Sequence, residues 1–168
     1  ATELFDGDKY NIQNKDYTSN YLLKIYKNLN ENYFVHMIED PFEQYDFYNF
    51  NRLKHNKGGN PNVIADDLTC TNITLLKEAY NKNSIDGIII KPNQCGTISE
   101  TINVIKFCKE KKIKTILSAR SGDTEENYLS HLAVGWQTDM IKVGSFTRSE
   151  RMAKWNELLR IKEKLNFF

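Results

Sequence analysis

Five short apolar runs in this chain each end in a charged or small polar residue, and that arrangement narrows what the chain can fold into. Val35–Ile38 runs into Glu39, Asn62–Ala65 into Asp66, and Gly87–Ile90 into Lys91. Lys114–Ser118 runs into Ala119, Arg120 and Ser121, and Met140–Ile141 into Lys142. The runs recur roughly every 25 residues, about one strand-loop-helix-loop unit. Strands alternating with helices imply a parallel sheet in an α/β fold. In a barrel of parallel strands the chemistry lies at the C-terminal strand ends. The polar set at those ends, two carboxylates, two lysines and an arginine, suits a divalent metal and an anionic substrate.

The segments between the runs read as helices. Tyr17–Tyr33 carries a helical apolar stripe with Thr18 or Ser19 as cap. Phe47–Lys54 is expected to be a helix and Asn56–Pro61 a turn-rich loop. Asn72–Asn81, capped by Asn72, and Ser99–Lys111 follow. A further helix is expected from Thr124, with Glu125 and Glu126 in its first turn. The last runs from Ser149 to Leu165, with Met152, Trp155, Leu158, Leu159 and Ile161 facing inward. Ile88–Ile90 is an unbroken β-branched run, as a strand covered on both faces requires.

With 168 residues, 40% hydrophobic and 27% charged, the chain is long enough for one domain with a real core. A net charge of +1 and the lack of a basic stripe with interleaved aromatics argue against nucleic acid as a partner. No long apolar run suggests a membrane partner, so the expected location is the cytoplasm. Cys70, Cys95 and Cys108 lack CxxC spacing and read as free thiols. Neither a GxGxxG turn nor a Walker loop is present, which argues against a dinucleotide or P-loop site. His36, His55 and His131 share no ligand spacing, and Trp136 and Trp155 sit at packing positions. Read by residue type alone, Glu39 could be a solvated strand end, Asp66 a cap, and Lys142 a partner for a neighbouring carboxylate. A charge such as Lys91 directly after a buried strand is costly unless it is used.

Longer motifs narrow these alternatives. Ile38–Phe42, Ala65–Thr69 with Thr71 and Asn72, Lys91–Gln94, Arg120–Gly122 with Thr124 and Glu125, Ile141–Lys142 and Arg148–Arg151 resemble enolases in order and spacing. The tail Asn156–Ile161 is similar to that family's final helix. The resemblance spans essentially the whole chain. It implies a partial TIM-type (β/α) barrel, the last five strands of the catalytic barrel, flanked by helices. Residues 1–168 would then be a single domain, the C-terminal portion of that barrel, without its N-terminal capping domain and first strands. A closed barrel of this kind has eight strands. The abrupt start at Ala1 adds to the expectation of a fragment, a cleavage product or one piece of a larger assembly.

The resemblance also implies a Mg²⁺-dependent, reversible dehydration of 2-phosphoglycerate to phosphoenolpyruvate. Glu39 and Asp66 match two of the carboxylates that hold Mg²⁺, an ion that prefers hard oxygen ligands. Lys91 matches the base that removes the proton alpha to the carboxylate. A lysine does this only beside positive charge or when desolvated. Arg120 and Ser121 match the phosphate-binding pair, and Lys142 the lysine that contacts the substrate carboxylate. Arg148–Arg151 is expected to tie the last helix to the barrel rim. The implied assembly is a homodimer, or a complementary polypeptide completing the barrel. Ala119 stands where the family has histidine. A further aspartate ligand and the general-acid glutamate are expected upstream of Ala1. Losing that acid costs about 10²- to 10⁴-fold in rate, so this chain alone is expected to be inactive. The rival reading is a degenerate, non-catalytic enolase serving as a scaffold or subunit.

Overall fold

A computed structural model describes residues 1–55 and 61–165. All but the last residue of the expected Asn56–Pro61 loop lies outside the described residues. Five parallel strands form one sheet, with sequence neighbours adjacent throughout: β3 (Met37–Glu39), β4 (Asn62–Ala65), β5 (Gly87–Ile90), β6 (Lys114–Ser118) and β7 (Met140–Lys142). The chain falls into two compact units, Ala1–Ile88 and Ile89–Phe168.

The first unit opens with a hairpin of β1 (Tyr10–Ile12) and β2 (Lys15–Tyr17), which the sequence reading does not anticipate. Gln13 and Asn14 link the strands with φ of 52° and 62°. Positive φ at both positions of a two-residue loop matches the right-handed twist of the flanking strands. Tyr10 is fully buried, and its hydroxyl accepts a 3.0 Å bond from Glu43 N. Helix α1 (Ser19–Tyr33) starts two residues later than expected because Tyr17 ends β2. Thr18 is its cap, with Oγ1 accepting from Tyr21 N at 3.3 Å. Helix α2 (Phe47–His55) buries Phe50 and Leu53. In α3 (Ile73–Asn81), Asn72 caps the helix as expected, its Oδ1 accepting from Thr74 N and Leu75 N. Val63, Ile64 and Ala65 of β4 are buried, so this strand reads apolar without alternation.

In the second unit Ile89 and Ile90 of β5 are buried. A short turn of helix, α4 (Pro92–Cys95), has proline at its first position, where a missing N–H costs nothing. Thr97 caps α5 (Ile98–Lys111), which buries Val104, Ile105 and Cys108. Helix α6 spans Tyr128–Gly135, so the helix expected from Thr124 begins four residues late. The cause is partly long-range: Asp123 and α7 (Ser149–Lys164) take up polar groups of residues 120–124, leaving them as a loop. Along α7, Ile161 is buried but Leu159 is exposed, against expectation, while Lys154 and Glu157 are buried.

Candidate functional site

In the first unit, β3 and β4 end side by side, with Glu39 in register with Ile64. Asp40 follows at φ 40°, in the left-handed region that aspartate tolerates better than most residues. This turn aims its carboxylate across to the end of β4. Oδ1 accepts from Asp66 N at 2.8 Å and Oδ2 from Asp67 N at 2.7 Å. Burial pushes the Asp40 carboxyl above its ordinary value; the two N–H donors oppose that, and the charges of Asp67 and Asp66 add to it. The chain then turns tightly, with Thr69 N and Cys70 N donating to Asp66 O. Asp66 is thus buried and fixed through its own backbone. Carboxylate oxygens of Asp40, Asp66 and Asp67 lie within 4.8 Å of one another. Glu39 is not one of these three and stands exposed at the strand end. Asp40 has no expected role in the sequence. Its only signal is an acidic residue between a strand end and Pro41.

An all-oxygen, carboxylate-rich donor set is what a hard divalent cation selects. Both Asp40 oxygens already accept N–H bonds, so Asp66 and Asp67 are better placed to offer a ligand atom, and Asp40 to orient them.

In the second unit, Lys91, Arg120, Ser121 and Lys142 line one cavity of about 300 Å³ together with Ala119 and Arg151. These four expected residues come from the ends of three strands and are brought together. Among the described residues no acidic side chain lines the cavity, whereas four basic ones do. Such a concentration of positive charge attracts an anion, and guanidinium forks suit phosphate or carboxylate oxygens. Ala119 N donates to Lys142 O at 2.9 Å, which locks the ends of β6 and β7 together. Arg151 reaches in from α7, donating to Val143 O at 2.8 Å and Ser121 O at 3.3 Å. Gly144, at φ 102°, holds a backbone conformation that other residues rarely adopt; a Cβ there would touch Arg151 Nε at 3.4 Å. The tie expected of the Arg148–Arg151 segment therefore exists, and Arg151 also faces the cavity.

Comparison with known proteins decides the family. The family described as the C-terminal TIM barrel domain of enolase matches residues 2–167. This chain belongs to the enolase family. The enolase of Pelagibacter ubique is 45% identical over 166 residues, 98% of this chain and 40% of that protein. The enolase of Sulfolobus acidocaldarius is 42% identical over 161 residues, 96% of this chain and 38% of that protein. The enolase of Ehrlichia ruminantium is 37% identical over 166 residues. The chain thus spans about two fifths of the length of the curated enolases it matches. Its five-stranded parallel sheet with flanking helices is consistent with the enolase barrel domain.

Proposed function

We propose that the protein to which this chain belongs catalyses the Mg²⁺-dependent, reversible dehydration of 2-phosphoglycerate to phosphoenolpyruvate. The observation that carries this reading is the cavity of the second unit, which Lys91, Arg120, Lys142 and Arg151 line together with Ser121. In this reading Lys91 Nζ takes the proton from the carbon alpha to the carboxylate. The Arg120 guanidinium and the Ser121 hydroxyl hold the phosphate, and Lys142 pairs with the substrate carboxylate. The hydroxide on the neighbouring carbon leaves as water, with a proton from an acid outside this chain. Glu39 and Asp66 would hold Mg²⁺, with Asp67 beside Asp66 as a further carboxylate, and Asp40 would keep Asp66 in place. When bound, the ion supplies positive charge against the negative charge that builds on the substrate carboxylate. The 168-residue chain alone has no useful turnover. The working protein is a homodimer, or is completed by a second polypeptide, and is cytoplasmic. No helix among the described residues is long and apolar enough to cross a membrane.

The test is phosphoenolpyruvate formation, followed by its ultraviolet absorbance, for the longer protein and for this chain. The expected result is turnover by the longer protein that chelation abolishes and Mg²⁺ restores, with none by this chain. Turnover by this chain at the rate of the longer protein would refute the inactivity. A specific observation favours a second reading, that of a non-catalytic scaffold. Ala119 lines the cavity at the position where the sequence resemblance calls for histidine. Thermal melts of the longer protein separate the two. Stabilisation by 2-phosphoglycerate with Mg²⁺ supports the enzyme, and a flat response supports the scaffold.

A further inference from the structure

We infer that Lys154 is a positioning residue whose buried ammonium clamps the Arg120–Thr124 loop from beneath. The inference rests on the reading of Arg120 and Ser121 as the phosphate-binding pair. Lys154 sits in the middle of α7, and its side chain is 0% exposed. A charge so enclosed must be matched by a partner. Its Nζ lies 3.5 Å from Asp123 Oδ1 and donates to Thr124 O.

Asp123 turns that pairing into loop geometry. Its Oδ2 accepts from Arg120 N at 3.3 Å and its Oδ1 from Thr124 N at 2.9 Å. One carboxylate therefore brackets both ends of the loop, and one buried lysine holds that carboxylate. A turn earlier on α7, Arg151 donates to Ser121 O at 3.3 Å. The carbonyls of residues 121 and 124 are held directly by α7, and the Arg120 N–H is held through Asp123, while Arg120 and Ser121 are themselves exposed. The Lys154 end of the clamp is shielded from water, so little solvent competes for the bonds its ammonium makes. A site built this way presents its phosphate-binding groups pre-oriented.

Amide hydrogen exchange of the full chain, read at residues 120–126, tests the clamp in Lys154→Met, Lys154→Arg, Asp123→Asn and Ser130→Ala. Ser130 Oγ donates to Lys154 O at 2.8 Å, so Ser130→Ala disturbs the same turn of α7 without touching the loop. Exchange across the loop is expected to rise at least about tenfold in Lys154→Met and Asp123→Asn, and to stay near the parent in Lys154→Arg and Ser130→Ala. Unchanged exchange in the first two, or an equal rise in Ser130→Ala, overturns the assignment. If Lys154→Met does not fold, Asp123→Asn and Lys154→Arg decide the matter alone. In the longer protein, Lys154→Met should raise KM for 2-phosphoglycerate about tenfold with a smaller change in kcat, and Lys154→Arg should recover it. A loosened loop with an unchanged KM leaves the clamp standing and removes the phosphate reading instead.

Discussion

Asp40→Asn is the substitution that best separates a bonded carboxylate from a merely acidic one. Asparagine keeps the shape of the side chain and tolerates the φ of 40°, so the backbone need not move. An amide offers one acceptor oxygen where the carboxylate offers two. Either Asp66 N or Asp67 N, now bonded at 2.8 and 2.7 Å, must then face an NH2 group. A donor deprived of its partner in the interior costs about 1–3 kcal/mol. Two effects reduce that figure. Asp67 is exposed, so water replaces part of what its N–H loses. Burial also disfavours the Asp40 charge, and neutralising it removes that penalty. The net loss is expected to be about 1–2 kcal/mol. With a urea slope of about 2 kcal/mol per molar, the unfolding midpoint should fall by roughly 0.5–1 M. On the proposed reading of Asp66 as a Mg²⁺ ligand, its loosening should also weaken Mg²⁺ binding about 10- to 100-fold, measured by calorimetric titration. A midpoint that stays put or rises would refute the reasoning, because the buried charge would then outweigh the lost bond.

Three other measurements bear on the same structure. Burial pushes the Tyr26 phenol up to about 12 from 10.0, with its hydroxyl donating to Pro41 O at 2.7 Å. The stabilisation is therefore full below pH 10 and is lost as pH rises toward 12, so Tyr26→Phe should move alkaline unfolding to higher pH; an unmoved midpoint counts against it. Gly144→Ala should cost about 1–3 kcal/mol in urea unfolding, since φ is 102° and the added methyl meets Arg151; an unchanged midpoint would show the loop adapts freely. Burial pushes the Cys108 thiol up to about 12, with the charge of Asp139 adding to it. A maleimide at mildly alkaline pH should label Cys70 and Cys95, both partly exposed, while sparing Cys108 until the chain unfolds; equal labelling of all three in the native chain would contradict the packing.

Much of the architecture is legible because it is written in short-range patterns. Apolar runs such as Val63–Ala65 and Ile88–Ile90 become strands, and Thr18 and Asn72 cap the helices that follow them. The hairpin escapes that reading. Its strands have three residues each, carry exposed polar side chains, and join through Gln13 and Asn14 without a glycine. The start of α6 escapes it for a different reason. Thr124, Glu125 and Glu126 have the composition of a helix start, but Lys154 claims Thr124 O from thirty residues away.

The candidate site divides along the same line. Lys91, Arg120, Ser121 and Lys142 are visible because each directly follows an apolar run, and the fold gathers them at one cavity. Asp40 and Lys154 are not visible, since neither owes its role to its neighbours in sequence. Lys154 lies in a segment rich in lysine, arginine and glutamate, where a charged residue normally faces water. What sets it apart is that its side chain is 0% exposed beside Asp123. Asp40 likewise looks like a turn residue before proline until Asp66 N and Asp67 N arrive from the next strand. Residues that would touch a ligand follow from the strand pattern. Residues that hold those groups still depend on which distant backbone atoms the fold delivers to them, and a single sequence does not record that.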